Sequence, residues 1–310
     1  MTQAITLKLT EPTIKKMTNH YQKALVKAPP YSIFSAKLPG VTITAYQSGK
    51  VLFQGNHAEQ EASQWGDVTE KKGPQKAQEK TTNQTTLPAN FSNWPVIGSD
   101  EVGNGSYLGP VVVCATYVTP EQMPLLKELG VKDSKMLTDK LIRQIAEEIK
   151  LVVPYQELIV TPEKYNHIQP DYNVNRMKVA LHNQAISLLL KKIHPTTPQG
   201  ILIDQFTTEK NYRKYLALEK NAVTSPLYFQ TKGEQYHLAV AAASIICRAT
   251  FLNELDRASQ ELGLVVPSGA GPKSDQAAAR ILKKGGLSLL TRHAKLHFAN
   301  TEKAKKIAYR

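Results

Sequence analysis

The feature that most constrains this chain is an apolar run that ends in two adjacent acids and a glycine-rich turn, VIGSDEVGNG at residues 96–105. The run predicts a buried strand with Asp100 and Glu101 at its end. Two neighbouring carboxylates at a sheet edge resist ionising together unless a cation offsets their charge. The usual cation is a divalent metal ion, and protein-bound Mg²⁺ commonly also binds phosphate oxygens. Taken alone, such a pair is more often a solvated turn or a partner for lysines.

The length and net charge of the chain indicate a folded protein with a polyanionic partner. The chain has 310 residues, 41% of them hydrophobic, and a formal net charge of +13. The hydrophobic content is enough for packed cores, and the basic charge favours a polyanionic partner such as nucleic acid. We expect no membrane span, because no apolar run approaches the roughly 18 residues that one needs. The N-terminus lacks the apolar stretch of a signal peptide, so a cytoplasmic protein is expected. Cys114 and Cys247 lie in apolar segments and predict buried thiols.

The pattern along the chain divides it into an N-terminal domain (1–66), a polar linker (67–93) and a larger domain (94–310). The first domain has the order β-α-β-β-β-α and is expected to be a small α+β unit with helices on one face of an antiparallel sheet. The predicted strands cover residues 5–9, 31–38, 41–46 and 51–54, and the predicted helices cover 12–26 and 57–65.

The larger domain alternates strands with helices, which predicts an α/β fold. Strands are predicted at 95–98, 110–118, 151–161 and 200–204. Only a glycine-rich loop separates the first two, so they should form an antiparallel hairpin, whereas helices between the later strands favour parallel pairing. The expected result is a mixed sheet with helices packed on its faces. Thr138 is a plausible N-cap for a helix with an apolar stripe at Leu141, Ile142, Ile145 and Ile149.

Two further acids lie where ligand sites concentrate. Asp204 ends the buried strand GILID, and the carboxyl ends of strands are the usual ligand edge of an α/β sheet. Glu234 directly precedes a long apolar helix, where an acid can also serve only to complement the helix dipole. Taken together, Asp100, Glu101, Asp204 and Glu234 could hold two Mg²⁺ ions roughly 4 Å apart.

Several blocks together resemble the type 2 ribonucleases H, and within that group the bacterial ribonuclease HIII branch. They run in the family's order from Trp94 to about Asn300: Asp100-Glu101-Val102-Gly103, Gly109–Val113, Asp133-Ser134-Lys135, Lys232-Gly233-Glu234 and Ala241–Ile245. The resemblance implies an RNase H-like catalytic domain. It also implies that the N-terminal domain is similar to the TATA-binding protein and aids substrate binding.

What the resemblance implies about chemistry can be assigned to residues. Asp100, Glu101, Asp204 and Glu234 match the family's metal-binding and catalytic acids, with Asp100 bridging two Mg²⁺ or Mn²⁺ ions. The HII branch usually has Asp where this chain has Glu234. It also has Gly-Arg-Gly where this chain has Gly103-Asn104-Gly105 and Thr-Arg-Asp where this chain has Thr250-Phe251-Leu252. These differences favour cleavage within longer RNA stretches of an RNA/DNA hybrid by a monomeric endoribonuclease, leaving 5′-phosphate and 3′-hydroxyl ends.

The turn after the acid pair is the candidate substrate-binding segment. The backbone of Gly103, Asn104, Gly105 and Ser106 can approach a sugar closely, because glycine has no side chain. The 2′-hydroxyl distinguishes RNA from DNA, and backbone N–H and C=O groups could recognise it. Lys135 is a candidate for holding a phosphate, although a plain surface lysine is an equally good interpretation.

Three alternatives stay open on the sequence alone. One is cleavage at single ribonucleotides in DNA, as in the HII branch. Another is a different nuclease of the RNase H-like fold, such as a resolvase that cuts DNA junctions. The third is a non-catalytic nucleic-acid-binding protein whose acids are only helix caps and strand ends.

Overall fold

The computed structural model describes residues 4–29, 32–66, 87–131 and 137–309. The chain forms two compact units, residues 1–82 and 83–310. The described residues of the first unit form one hydrophobic core, and those of the second form two.

The first unit is an antiparallel sheet with two helices. Its elements are β1 (Ala4–Lys8), α1 (Glu11–His20), β2 (Leu25–Val26), β3 (Ser32–Leu38), β4 (Val41–Tyr46), β5 (Lys50–Gln54) and α2 (Ala58–Ala62). The strand order is β1-β5-β4-β3-β2, and every neighbouring pair is antiparallel. Ile14 and Met17 of α1 pack in one core with Ile43 and Phe53 of the sheet. The predicted α+β class is therefore confirmed.

The first helix is shorter than the predicted span of 12–26. It ends at His20, a single 3₁₀ turn follows, and Leu25 and Val26 then pair with Ala36 and Ser35 of β3. Pairing at the sheet edge gives the backbone of Leu25–Val26 hydrogen-bond partners that a continued helix would have supplied internally. The sheet thus has five strands where the sequence pattern predicted four.

The second unit has a five-stranded mixed sheet with the order β10-β9-β6-β7-β8. The strands are β6 (Val96–Val102), β7 (Val111–Val118), β8 (Tyr155–Val160), β9 (Gly200–Asp204) and β10 (Leu227–Gln230). The predicted β6–β7 hairpin is antiparallel, and β6–β9 and β9–β10 are parallel. The predicted parallel pairing is wrong for β8, which is antiparallel to β7. Two helices rather than one, Met123–Glu128 and Asp139–Val152, lie between these strands, so the simple strand-helix-strand crossover that favours parallel pairing is absent here.

Helices cover both faces of this sheet. They are α3 (Met123–Glu128), α4 (Asp139–Val152), α5 (Pro162–Ile168), α6 (Val174–Ile193), α7 (Glu209–Leu216), α8 (Leu238–Leu262), α9 (Pro272–His293) and α10 (Asn300–Ala308). One core joins Val96 and Val112 to α8, and a second core joins Ile97 and Val113 to α6. Because successive strand residues point to opposite faces, even-numbered residues of β6 face α8 and odd-numbered residues face α6.

Helix α8 is the central packing element. By length and composition alone it could cross a membrane, contrary to the expectation that no segment of the chain would qualify, but 72% of its apolar window is buried inside the unit. It is therefore the core helix of this domain. The predicted N-cap of α4 is confirmed, since the Thr138 side chain accepts a hydrogen bond from the Leu141 N–H. Cys114 and Cys247 are both buried, as predicted.

The stretch predicted as a linker is described only from Leu87 onward. Phe91 is buried and its ring packs against Trp94 and Tyr228, so residues 87–93 form part of the second unit. Residues 67–86 lie outside the described part of the chain.

Candidate active site

Three adjacent strands bring the predicted acids to one end of the sheet. Ser99 of β6 is in register with Ile203 of β9, so Asp100 lies beside Asp204, the last residue of β9. Gln230, the last residue of β10, is in register with Asp204. The chain then enters the 3₁₀ turn Gly233–Gln235, which carries Glu234. The acids therefore gather near the carboxyl ends of three parallel strands; the sequence pattern predicted strand ends for Asp100, Glu101 and Asp204, but it did not predict β10.

Asp100 points toward α8 and is buried. Its carboxylate accepts hydrogen bonds from the Ser244 hydroxyl and from the Glu101 N–H, the latter at 2.7 Å. The Cys247 thiol donates to the Asp100 carbonyl at 3.3 Å. Burial, together with the charges of Glu101 and Asp204, raises the pKa of Asp100 well above its usual range, and the two hydrogen bonds offset only part of this rise. Without a cation nearby, Asp100 therefore tends to keep its proton, and a bound cation would stabilise its ionised form.

Glu101 points to the opposite face, toward α6. Lys178 Nζ lies 2.8 Å from its Oε1, and His182 Nε2 lies 2.9 Å from its Oε2. Burial alone would raise the pKa of Glu101, but the hydrogen bonds and charges of His182 and Lys178 outweigh burial and lower it. The His182 ring is fully buried, with Nδ1 2.7 Å from Ser99 Oγ. The two adjacent acids thus have contrasting surroundings on the two faces of one strand.

Asp204 and Glu234 complete the cluster. The Gly233 N–H donates to Asp204 Oδ1 at 2.8 Å. Burial raises the pKa of Asp204; that bond offsets part of the rise, and the charges of Glu101 and Glu234 add to it. Lys232, just before this turn, has the left-handed backbone conformation, with φ at 60° and ψ at 49°. Such a conformation is costly for a non-glycine residue and clusters at functional sites.

The donor set suits a hard divalent cation, because four carboxylates supply only oxygen ligands. As they stand, no three or more Asp, Glu, His or Cys side chains in the described part of the chain are arranged to enclose an ion. Both oxygens of Glu101 are instead held by α6. The buried, mutually repelling Asp100 and Asp204 nevertheless fit a metal-binding role.

The turn Gly103–Ser106 packs against neighbouring residues at both of its ends, and its middle is exposed. Gly103 has a φ of +95°, and a Cβ there would lie 2.2 Å from the Pro110 carbonyl oxygen. The Ser106 hydroxyl donates to the Leu108 carbonyl and accepts from the Gly269 N–H. Gly105 is exposed, and a Cβ there would meet nothing within 4 Å. Gly103 and Ser106 therefore shape the turn, while Gly105 leaves its outer side open.

One candidate substrate-binding residue lies outside the described part of the chain, and two asparagines at α6 have structural roles. Lys135 falls within residues 132–136, which the structure does not describe. Asn173 caps α6 by accepting a hydrogen bond from the Arg176 N–H. Asn183 binds the backbone of Asn221 and Val223.

Lys178 and His182 are the site residues that sequence reasoning missed. Their spacing of four residues places both on one face of α6. The only available signal was this pair of basic side chains within an otherwise apolar helix face.

Comparison with known proteins then identifies the family. The family described as Ribonuclease HII matches residues 97–301. The chain belongs to the ribonuclease HII family. A second family, described as Domain of unknown function (DUF3378), matches residues 4–79. The Ribonuclease HII match contains all four acids and, apart from Val96, the strands β6, β9 and β10.

Individual relatives refine this assignment. The chain is 61% identical to the ribonuclease HIII of Enterococcus faecalis, with 99% of this chain and 100% of that protein covered. It is 48% identical to the ribonuclease HIII of Listeria monocytogenes serotype 4b, with 96% of each covered. Among solved structures it is similar to Bst-RNase HIII in complex with Mn²⁺, with a TM-score of 0.69, 38% identity and 99% of each chain covered. The predicted resemblance to the HIII branch is confirmed, and the protein is a hydrolase of the ribonuclease H class.

Proposed function

We propose that the protein is an endonuclease that hydrolyses the RNA strand of RNA/DNA hybrids. The observation that carries this proposal is the gathering of Asp100, Glu101, Asp204 and Glu234 at one sheet edge, in a chain with net charge +13. A basic chain attracts the polyanionic backbone, and the acid cluster supplies a local site where charge must be balanced by a cation.

The four acids would hold Mg²⁺ or Mn²⁺, two ions in a complete site. The Mn²⁺ in the similar Bst-RNase HIII structure supports this assignment. When bound, such a pair of ions activates a water and stabilises the leaving oxygen. The chain's own contribution is to hold the ligands: Ser244 and the Glu101 N–H orient Asp100, and the Gly233 N–H orients Asp204.

Substrate recognition is assigned to the turn at Gly103–Ser106. The exposed Gly105 leaves room for a sugar to approach the backbone, which can bind the 2′-hydroxyl through N–H and C=O groups. Asn104 stands here in place of the arginine of the HII branch, which favours long RNA stretches over a single ribonucleotide in DNA. The products would carry 5′-phosphate and 3′-hydroxyl ends.

The N-terminal unit is assigned to substrate binding by a monomeric enzyme. Between residues 1 and 66 the chain has seven lysines and three glutamates, and this basic excess suits contact with phosphates. The unit has its own hydrophobic core, as expected of a separate substrate-binding domain.

The test is a cleavage comparison on three labelled substrates, in Mg²⁺ and in Mn²⁺. They are a long RNA/DNA hybrid, a DNA duplex with one ribonucleotide, and a DNA-only duplex. We expect efficient cleavage of the hybrid, much slower cleavage of the second substrate and none of the third. Preferred cleavage at the lone ribonucleotide would replace the proposal with an HII-type activity. Binding without metal-dependent cleavage would leave only a nucleic-acid-binding protein.

A further inference from the structure

Lys178 is a buried cation within the acid cluster. Its side chain is 8% exposed, and its ammonium lies 2.8 Å from Glu101 Oε1. The same ammonium lies 3.8 Å from the centroid of the Phe206 ring. Lysine is almost never buried this deeply without a partner, because leaving water costs its charge several kcal/mol. The contacts with Glu101 and Phe206 offset that cost.

The surroundings of Lys178 keep its charge close to the site. Phe206 follows Asp204 by two residues, so the ring over the ammonium belongs to the segment that leaves β9. His182, one helical turn further along α6, packs its ring 5.2 Å from the same phenylalanine and binds the other oxygen of Glu101. The ammonium therefore keeps a cation–π partner even when the carboxylate makes another contact.

The charge of Lys178 acts on the whole cluster. Asp100 and Asp204 lie close enough to Glu101 for its charge to raise their pKa values. A positive charge in contact with Glu101 lowers the negative potential at the sheet edge, which is the potential that attracts a divalent ion.

We infer that Lys178 is a built-in counter-cation. Its positive charge offsets part of the negative charge of the four acids before metal binds, and it thereby lowers the affinity of the site for the divalent ion. His182 contacts the other carboxylate oxygen of Glu101 from the same helix. This inference rests on the proposed metal site. It predicts the opposite change in metal affinity from the one expected if Lys178 were only a structural support. Removing a structural support would loosen the ligands and weaken metal binding, whereas removing a competing charge strengthens it.

The test is titration of the full-length protein with MnCl₂ by calorimetry without nucleic acid, at about pH 8, where unperturbed carboxylates are ionised. Lys178→Met should bind Mn²⁺ at least about threefold more tightly than the wild type, because a repelling charge is gone. Lys178→Arg keeps the positive charge, so its affinity for Mn²⁺ should stay near that of the wild type. Lys191→Met is the matched control: the same substitution on the exposed far part of α6, about 20 Å along the helix, should leave the affinity unchanged.

Two further measurements keep the inference testable if Lys178→Met folds poorly. Lys178→Gln retains an N–H donor for Glu101 and loses the charge, so it must also bind Mn²⁺ more tightly. In EDTA the Lys178 variants should melt at lower temperature than the wild type, and saturating Mn²⁺ should narrow that difference. Unchanged or weaker Mn²⁺ binding by both neutral variants would overturn the inference. If the wild type itself bound no Mn²⁺, or if Asp100→Asn bound it as well as the wild type, the proposed metal site would fail instead.

Discussion

The packing of α8 against β6 makes Gly98→Ala the most informative single substitution for stability. A Cβ at residue 98 would lie 2.2 Å from the Val240 N and 2.3 Å from the Ala239 carbonyl carbon. Both atoms belong to the backbone of α8, so no side-chain rotation relieves the overlap, and the helix must move by about 1 Å to regain van der Waals contact. Overpacking of this kind costs about 3 kcal/mol, equivalent to a melting temperature lower by about 6–12 °C in a domain of this size.

The assay is urea unfolding followed by circular dichroism and tryptophan fluorescence, with cleavage rates measured in parallel. Because α8 also carries Ser244, which hydrogen-bonds to Asp100, its displacement should lower the cleavage rate as well. Gly105→Ala is the matched control, because a Cβ there meets nothing within 4 Å and stability should change by less than about 0.5 kcal/mol. If Gly98→Ala unfolds at the urea concentration of the wild type, the close packing argument is refuted.

Three other predictions follow from the site and the charges. Asp100→Asn should bind the hybrid normally but cleave it about 10³-fold or more slowly, a loss of at least about 4 kcal/mol of transition-state stabilisation; near-normal single-turnover rates would contradict the assignment. Deleting residues 1–66 should weaken hybrid binding and flatten its dependence on salt, and an unchanged affinity for long hybrids would remove this unit from the mechanism. In EDTA, stability should fall as pH rises from about 3.8 through the raised pKa of Asp100, because the folded state retains the proton more strongly. Urea unfolding of Asp100→Asn across the same pH range should show a smaller fall.

Local patterns in the sequence were sufficient to find the acids. Asp100 and Asp204 each end an apolar run, and the structure places them side by side at the end of adjacent parallel strands. The opposite orientations of the Asp100 and Glu101 side chains could also have been predicted from the sequence, since adjacent strand residues face opposite sides of the sheet. The sequence reasoning treated them as one pair, and the two helices on opposite faces give them different partners.

Long-range contacts explain the residues that were missed. Lys178 and His182 are separated from Glu101 by 77 and 81 positions, and no local pattern indicates which strand a helix will face. The buried face of α6 includes Lys178 and His182 beside apolar residues such as Met177, because this part of the helix covers Glu101 as well as apolar side chains.

Short strands that depend on a partner strand were the other elements that the sequence pattern did not predict. The four residues of β10 are too few to show a period, and the strand exists because its backbone pairs with β9. The edge strand β2 depends in the same way on β3. In both cases the partner strand, rather than the local sequence, decides the conformation.

The four acids are held by different structural elements, and this difference affects which of them can be exchanged during evolution. Asp100 and Glu101 sit in a strand that is paired on both sides, and Asp204 ends the neighbouring strand. Glu234 stands apart from them on a three-residue 3₁₀ turn outside the sheet. Lengthening or shortening that side chain by one methylene disturbs no strand pairing, so selection can exchange Glu and Asp there while the rest of the site stays fixed. Among the four acids, Glu234 is the one that the resemblance marks as exchanged between the HII and HIII branches, and it is also the one whose exchange the scaffold tolerates most easily.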